Sequence, residues 1–232
     1  MNDQMSDTLG PLIAATATFV LGHFILSWGP LRGALVAKLG RGKFLGLYSL
    51  LMIGAFVWMN MRYVRAPVIE LWPHTEGAKH VAWVVMIFAA VLLVCGAATA
   101  NPTSVGGERV TEARGIFKVT RHPILWAIAL WAMTHMGTTG DAASQIFFGG
   151  LAVLSLGGMA HIDAKKRAED PVRFARIAAN SSAIPLAAII AGRAQVTLAE
   201  IGWPRILAGL ALYLILLYGH QWAIGIIVAP QL

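Results

Sequence analysis

Charge is scarce in this chain. Lys, Arg, Asp and Glu make up 12% of its 232 residues, where a soluble domain carries roughly 25%. That scarcity excludes an ordinary soluble domain. There is one cysteine, Cys95, in an apolar run, so a disulfide framework is excluded and cysteine says nothing of compartment. No P-loop, Gly-x-Ser-x-Gly, His-Glu-x-x-His or convincing Ser/His/Asp set occurs. Lipidation motifs, low-complexity segments and an internal repeat are also missing, the last weighing against a two-halved transporter. Met1–Asp7 has no positive n-region and the apolar run after it is too long, so the start does not read as a secretory signal. What the chain does have is apolar mass: 57% hydrophobic residues and a mean hydropathy of +0.67. These are the marks of an integral membrane protein.

The apolar runs divide into about six spans: Thr8–Trp28, Phe44–Tyr63, His80–Ala100, His122–Gly140, Ala142–His161 and Pro204–Val228. The third is stopped by Asn101-Pro102. A bilayer core needs about 20 apolar residues, and roughly 17 is the lower limit. Ala183–Ala191 is too short to cross and reads as an interfacial or re-entrant piece closed by Gly192-Arg193. Prolines fall at span ends or in loops, which supports these boundaries. The expectation is an all-α polytopic helix bundle forming a single domain over residues 1–232, with the short segment lying before the last span.

Net charge is +7, but the basic residues lie between apolar runs, so nucleic acid is not the expected partner. Loops Gly29–Lys43, Thr103–Arg121 and Ile162–Asn180 hold 4, 4 and 5 Lys/Arg, and with Arg193 and Arg205 that side carries 15 of the 18. By the positive-inside rule the odd-numbered loops face the cytoplasm and both termini face outward.

One stretch organises the rest: Val119-Thr-Arg-His-Pro-Ile-Leu-Trp126, an apolar helix, His135, and the turn Gly140-Asp141. Pro123 suits a first helical turn, where its missing N–H has no partner to lose. An ionisable residue inside a span is costly and marks a functional-site candidate, and His135 is that residue. Seven histidines occur. His122 and His161 fall at cytoplasmic helix ends, where they read as interfacial, and His74 and His80 fall on the outer side. His23 lies in the cytoplasmic half of the first span. His135 and His220 lie in outer halves, about 20 Å above their cytoplasmic ends at 1.5 Å per residue. Two neutral imidazoles from different helices suit a haem iron or another metal. The plainer alternative for each is a polar group satisfied by a neighbouring helix.

Arg121-His122 precedes a helix N-terminus, which attracts anions. It suits a lipid phosphate or a haem propionate, or else a cytoplasmic anchor that snorkels to the interface. Lys165-Lys-Arg167 reads as a topology signal. Gly22, Gly54, Gly96 and Gly157-Gly158 are candidates for close helix approach. No carboxylate falls inside a proposed span, which weighs against a proton-coupled carrier.

Gly22-His-Phe-Ile-Leu-Ser27 with Gly29-Pro-Leu-Arg32 resembles the first helix of the NnrU family. Arg114-Gly-Ile, Arg121-His-Pro-Ile-Leu-Trp126, Thr134-His135 and Gly140-Asp141 resemble its core. Gly158-Met-Ala-His-Ile-Asp-Ala-Lys-Lys-Arg167 and Ser181–Arg193 continue the likeness over most of the chain. The resemblance implies a polytopic inner-membrane protein tied to nitrate, nitrite and nitric oxide metabolism in denitrifying bacteria. The related plant zeta-carotene isomerase uses haem b to isomerise a carotenoid double bond, and its ligands correspond by motif to His23 and His135. Ala132 stands where that enzyme carries a cysteine, so a thiolate ligand is not implied. Helix rise sets His23 and His135 about 10 Å apart in depth, which keeps His220 as the rival partner of His135.

Three readings follow. The first is a haem b protein ligated by His135 and a second histidine, with nitric oxide or an apolar polyene as its small partner. Two axial histidines favour electron transfer, and one leaves a position open to a ligand. The second is a membrane methyltransferase, because Arg121-His-Pro, the basic loop and the piece ending in Gly192-Arg193 resemble the isoprenylcysteine methyltransferase layout. The third is a non-enzymatic partner supporting assembly or expression of a respiratory nitric oxide or nitrite reductase.

Overall fold

The computed structural model describes residues 8–101, 110–226 and 228. Met1–Asp7, Pro102, most of the third loop including Arg109, and Ile227 in the expected last span lie outside the described residues. Eleven helices are described: α1 Gly10–Ser27, α2 Gly29–Leu39, α3 Arg41–Val64, α4 Glu76–Ala97, α5 Ile116–Val119, α6 Pro123–Thr139, α7 Ala142–Glu169, α8 Pro171–Ala179, α9 Ala187–Ile190, α10 Leu198–Ile201 and α11 Trp203–Ile224. Among the described residues the only extended pairing is one antiparallel bridge, Glu70 with Asp141. The chain is an all-α polytopic membrane protein. Helices α1, α3, α4, α7 and α11 are long and apolar enough to cross a bilayer. With 17 residues, α6 is about 25 Å long at 1.5 Å per residue.

Proline sets several helix starts. Pro11, Pro30, Pro171 and Pro204 occupy first-turn positions of α1, α2, α8 and α11, and Pro123 opens α6. There the ring costs no hydrogen bond and its fixed φ suits the helix. Two expected loops are helical instead. Gly29–Lys43 holds α2, because Leu31, Ala34, Leu35 and Ala37 are good helix formers and Lys38 suits a last turn. Ile162–Asn180 holds the end of α7 and all of α8. The break between them is Asp170, which the following proline pushes out of the helical region (φ −150°, ψ 87°) and whose carboxylate caps α8 by accepting from the Arg173 N–H at 2.9 Å. At 28 residues α7 is about 42 Å long, longer than a hydrocarbon core of about 30 Å. Its basic end therefore projects as helix rather than loop. The short segment before α11 contains only the single turn α9 and does not cross.

The chain divides into two compact units: Met1–Thr75 with His135–Leu154, and Glu76–Thr134 with Ser155–Leu232. In the first, α1 and α2 pack on α3, and α1 meets the first half of α7 at Gly150, where a Cβ would collide with the Thr16 methyl. In the second, α4 packs on α11. A Cβ at Gly209 would sit 2.7 Å from the Val91 Cα. The core there gathers Leu92, Cys95, Ala113, Ile116, Phe117, Ala127 and Ile201. Of the expected contact glycines, Gly22 meets Met52 and Gly96 meets Pro123, whereas Gly54 has nothing within 4 Å. It faces outward from α3.

Candidate functional site

His23 sits one turn after Phe19 on α1. Its Nδ1 lies 2.8 Å from the Phe19 carbonyl oxygen. A carbonyl can only accept, so Nδ1 carries the proton and in the neutral ring Nε2 keeps its lone pair. The ring is held edge-on by Phe19 at 4.6 Å between centroids and by Tyr48 of α3 at 5.8 Å. Tyr48 in turn stacks on Phe44 at 6.1 Å. A metal-bound imidazole commonly has this arrangement, with the far nitrogen fixed by a backbone carbonyl.

His135 belongs to the same unit. Its ring lies 4.9 Å from Phe148 of α7, and its carbonyl accepts from the Thr139 hydroxyl at 2.8 Å. The end of α6 is covered by residues 69–74. The N–H groups of Leu71 and Trp72 donate to the Gly140 carbonyl, the Ala142 N–H donates to Ile69, the Trp72 indole donates to Gly137 at 3.3 Å, and His74 bonds the Thr138 carbonyl at 2.5 Å. Gly140 has φ +65°, and a Cβ there would strike the Trp72 carbonyl. Trp72 thus covers this helix end.

A polar chain that sequence reasoning missed lies beside it. The buried Ser144 hydroxyl donates to the Asp141 carboxylate at 2.5 Å and lies 2.9 Å from the Tyr63 hydroxyl. Tyr63 stacks on Phe147 at 4.6 Å and meets Phe148 at 5.9 Å. The aromatic packing of His135 is therefore continuous with Tyr63.

His220 falls in the other unit, on α11, where its Nδ1 bonds the Leu216 carbonyl one turn back. His80 does the same to Glu76 at 2.8 Å. The local tautomer argument therefore applies to His220 as well as to His23.

Arg121 and His122 are not surface anchors. They are 7% and 3% exposed. Arg121 Nε and NH2 donate to Asp163 at 3.2 and 2.5 Å, its NH1 donates to Ser181 at 3.2 Å, and His122 Nε2 donates to Asp163 at 2.9 Å. The guanidinium also lies 5.3 Å from the Phe174 ring centroid. The snorkelling reading fails because Asp163 supplies the charge and acceptors that water would otherwise provide. By sequence Asp163 falls in the loop Ile162–Asn180, just past the expected span end at His161. It lies inside α7, which continues past the basic run Lys165–Arg167 with Lys166 bonded to Glu169 at 3.0 Å. One signal was available in the sequence: between Asp141 and Glu169, Asp163 is the sole acid, and it directly follows an apolar run.

A second charged pair fastens α5 to α10. Lys118 lies 2.8 Å from Glu200, and the Gly115 N–H donates to the same carboxylate at 3.0 Å. Partial burial raises the Glu200 pKa, but Lys118, the Gly115 N–H and Arg114 outweigh it and hold the carboxyl below its ordinary value.

Residues 11–228 match the family model described as NnrU protein. The chain belongs to the NnrU family. No curated protein and no solved structure matches it. In this NnrU protein no cluster of three or more His, Cys, Asp or Glu suited to a metal ion occurs among the described residues. A haem iron asks less of the chain, one or two axial imidazoles. The donor chemistry of His23 fits that role, since its ring offers Nε2 with the opposite nitrogen already bonded.

Proposed function

We propose that this NnrU protein binds haem b within the membrane, where His23 and His135 would hold the iron and His220 is the competing second ligand. The observation that carries the reading is the His23 ring, fixed through Nδ1 on the Phe19 carbonyl and between Phe19 and Tyr48. That preorganisation lowers the cost of ligation. Phe148 supports His135 from the side. A bound haem b would supply an iron able to carry one electron or to take a small ligand such as nitric oxide. Arg121 and His122 are left out of this site, because their donors are committed to Asp163 and Ser181.

The family and the charge asymmetry of the loops support a multi-pass protein of the bacterial inner membrane with odd-numbered loops in the cytoplasm. Its setting is nitrate, nitrite and nitric oxide metabolism. An isomerase-like reaction on an apolar polyene remains the catalytic form of the same reading.

The test is haem content and the reduced-minus-oxidised spectrum of protein expressed with ample haem. Wild type should show a b-type band. His23→Ala and His135→Ala should each lose the band or shift it, and His220→Ala should not. A wild type without a haem band overturns the proposal. A band lost in His220→Ala but kept in His23→Ala reassigns the ligand.

A further inference from the structure

The segment 181–194 is irregular backbone, apart from the single turn α9, lying against the start of α6. The Trp126 indole, in the first turn of α6, donates to the Ala183 carbonyl at 2.7 Å, and the Thr120 hydroxyl donates to that same carbonyl at 2.9 Å. Ala183 is therefore level with the start of α6, where the Trp126 side chain leans back toward Thr120. At about 25 Å, α6 is shorter than a hydrocarbon core of about 30 Å, so a crossing α6 puts Trp126 at or below the headgroup boundary. The segment bonded to Val119, Thr120, Arg121 and the Trp126 indole lies at that boundary.

Irregular backbone survives at such depth only where protein satisfies its polar groups, and here it does. The Ser182 carbonyl accepts from the Arg121 N–H at 2.7 Å, and the Leu186 N–H donates to Val119 at 2.8 Å. The Ala188 N–H donates to the Ser182 hydroxyl at 3.1 Å. Arg193 NH1 donates to the carbonyls of Ala178, Ala179 and Ser181 at 2.8, 3.0 and 3.3 Å, closing the open end of α8. Fastened polar groups on one side leave three large aliphatic side chains on the other. Ile184, Leu186 and Ile190 are 66%, 48% and 82% exposed. Leu186 also holds φ +63°, a left-handed conformation that is costly for a residue with a Cβ. Glycine would avoid that cost, and in water the exposed leucine side chain would offset none of it. In hydrocarbon it does.

We propose that residues 184–190 form a half-inserted hairpin whose Ile184, Leu186 and Ile190 side chains sit among the acyl chains of the leaflet at the start of α6. The Arg121–Asp163 pair acts as its inner fastening. Its partner is lipid hydrocarbon, not solvent and not a second copy of the chain. The inference needs only the membrane setting and stands whether or not haem binds.

The experiment uses the full chain in lipid nanodiscs. A nitroxide is placed at Ile184→Cys, Leu186→Cys, Ile190→Cys and, as the aqueous control, Arg176→Cys. Cys95, fully buried, is replaced by Ser only if it labels. At each site the collision rates with oxygen, which concentrates in lipid, and with a water-soluble nickel chelate are compared. The ratio of oxygen to nickel collisions is expected to exceed one at 184, 186 and 190 and to fall below one at 176. Nickel collisions at 190 equal to those at 176 overturn the proposal. Low collision rates with both probes at all three sites, together with a short distance between labels on different chains, give the surface to a second copy and overturn it too.

Discussion

Asp163 holds Arg121 through a two-pronged hydrogen bond, Nε to Oδ1 at 3.2 Å and NH2 to Oδ2 at 2.5 Å, across 42 residues of sequence. His122 donates to the Oδ1 atom as well, at 2.9 Å. Three side chains that would each be costly to bury alone are buried together, and they tie α7 to the entrance of α6. The arrangement makes the cost of damage asymmetric. Removing one partner of a buried pair leaves an uncompensated charge, which typically costs about 3–5 kcal/mol, whereas replacing both with apolar groups is often neutral. Asp163→Leu should therefore lower the thermal midpoint in detergent sharply. The double variant Asp163→Leu with Arg121→Met should recover most of the loss. Equal loss in both would show that the pair is not the source of the effect.

The Tyr63–Ser144–Asp141 chain allows an ordering. Asp141 as a carboxylate can only accept, so the Ser144 proton is committed to it and Tyr63 must donate to Ser144. Tyr63→Phe removes one donor and leaves Ser144 bonded, a loss of about 1 kcal/mol. Ser144→Ala strips Asp141 of a donor and Tyr63 of its acceptor at a fully buried site, and should cost more. Chemical unfolding of both variants in the same detergent checks the order. A larger loss for Tyr63→Phe would contradict it.

What could be read from the sequence and what could not divide along a physical line. Apolar run length placed five of the six expected spans on helices long and apolar enough to cross, because the bilayer imposes that length. The fourth expected span is the 17-residue α6, and Pro123 and Pro204 mark helix starts for a local steric reason. The failure of Ala183–Ala191 to cross was likewise a matter of length. Basic residues, in contrast, report which side of the membrane a segment faces and not whether it is helical. For that reason α2 and the far end of α7 read as loops in the sequence. The Asp163 cluster was invisible for another reason. Its members share no local pattern, and only the fold brings an acid late in α7 to an Arg-His pair that precedes α6.

Glu200 gives a dependence on pH with a definite sign. Its carboxyl is partly buried, which raises its pKa, but Lys118, the Gly115 N–H and Arg114 bring it below the ordinary 4.5. A group with a lowered folded pKa adds stability that is fully present above the unfolded value and is lost as pH falls through the folded one. Wild type should therefore lose thermal stability below about pH 4.5 relative to Glu200→Gln, with the two curves running parallel above it. The effect should be modest, because the pair is only partly buried. Parallel curves down to pH 3 would remove Glu200 from the acid response.

Glycine offers a paired comparison in which one composition change has two outcomes. On α7, Gly150 faces α1 so closely that a Cβ would overlap the Thr16 methyl, with Val20 at 3.5 Å. On α3, Gly54 has nothing within 4 Å. Both residues sit in apolar helices of the same unit, so intrinsic helix propensity favours leucine over glycine at each by under about 1 kcal/mol. Contact decides the rest. Gly150→Leu must push α1 away or force strained rotamers, a loss typically of about 1–3 kcal/mol, and it should unfold at lower temperature than wild type. Gly54→Leu should be neutral or slightly stabilising, because its side chain enters lipid and displaces nothing. Thermal unfolding in one detergent decides the matter. Equal destabilisation at the two positions would mean that Gly54 is also at a helix contact, one made by a second copy of the chain, and that the α3 surface is not lipid-facing.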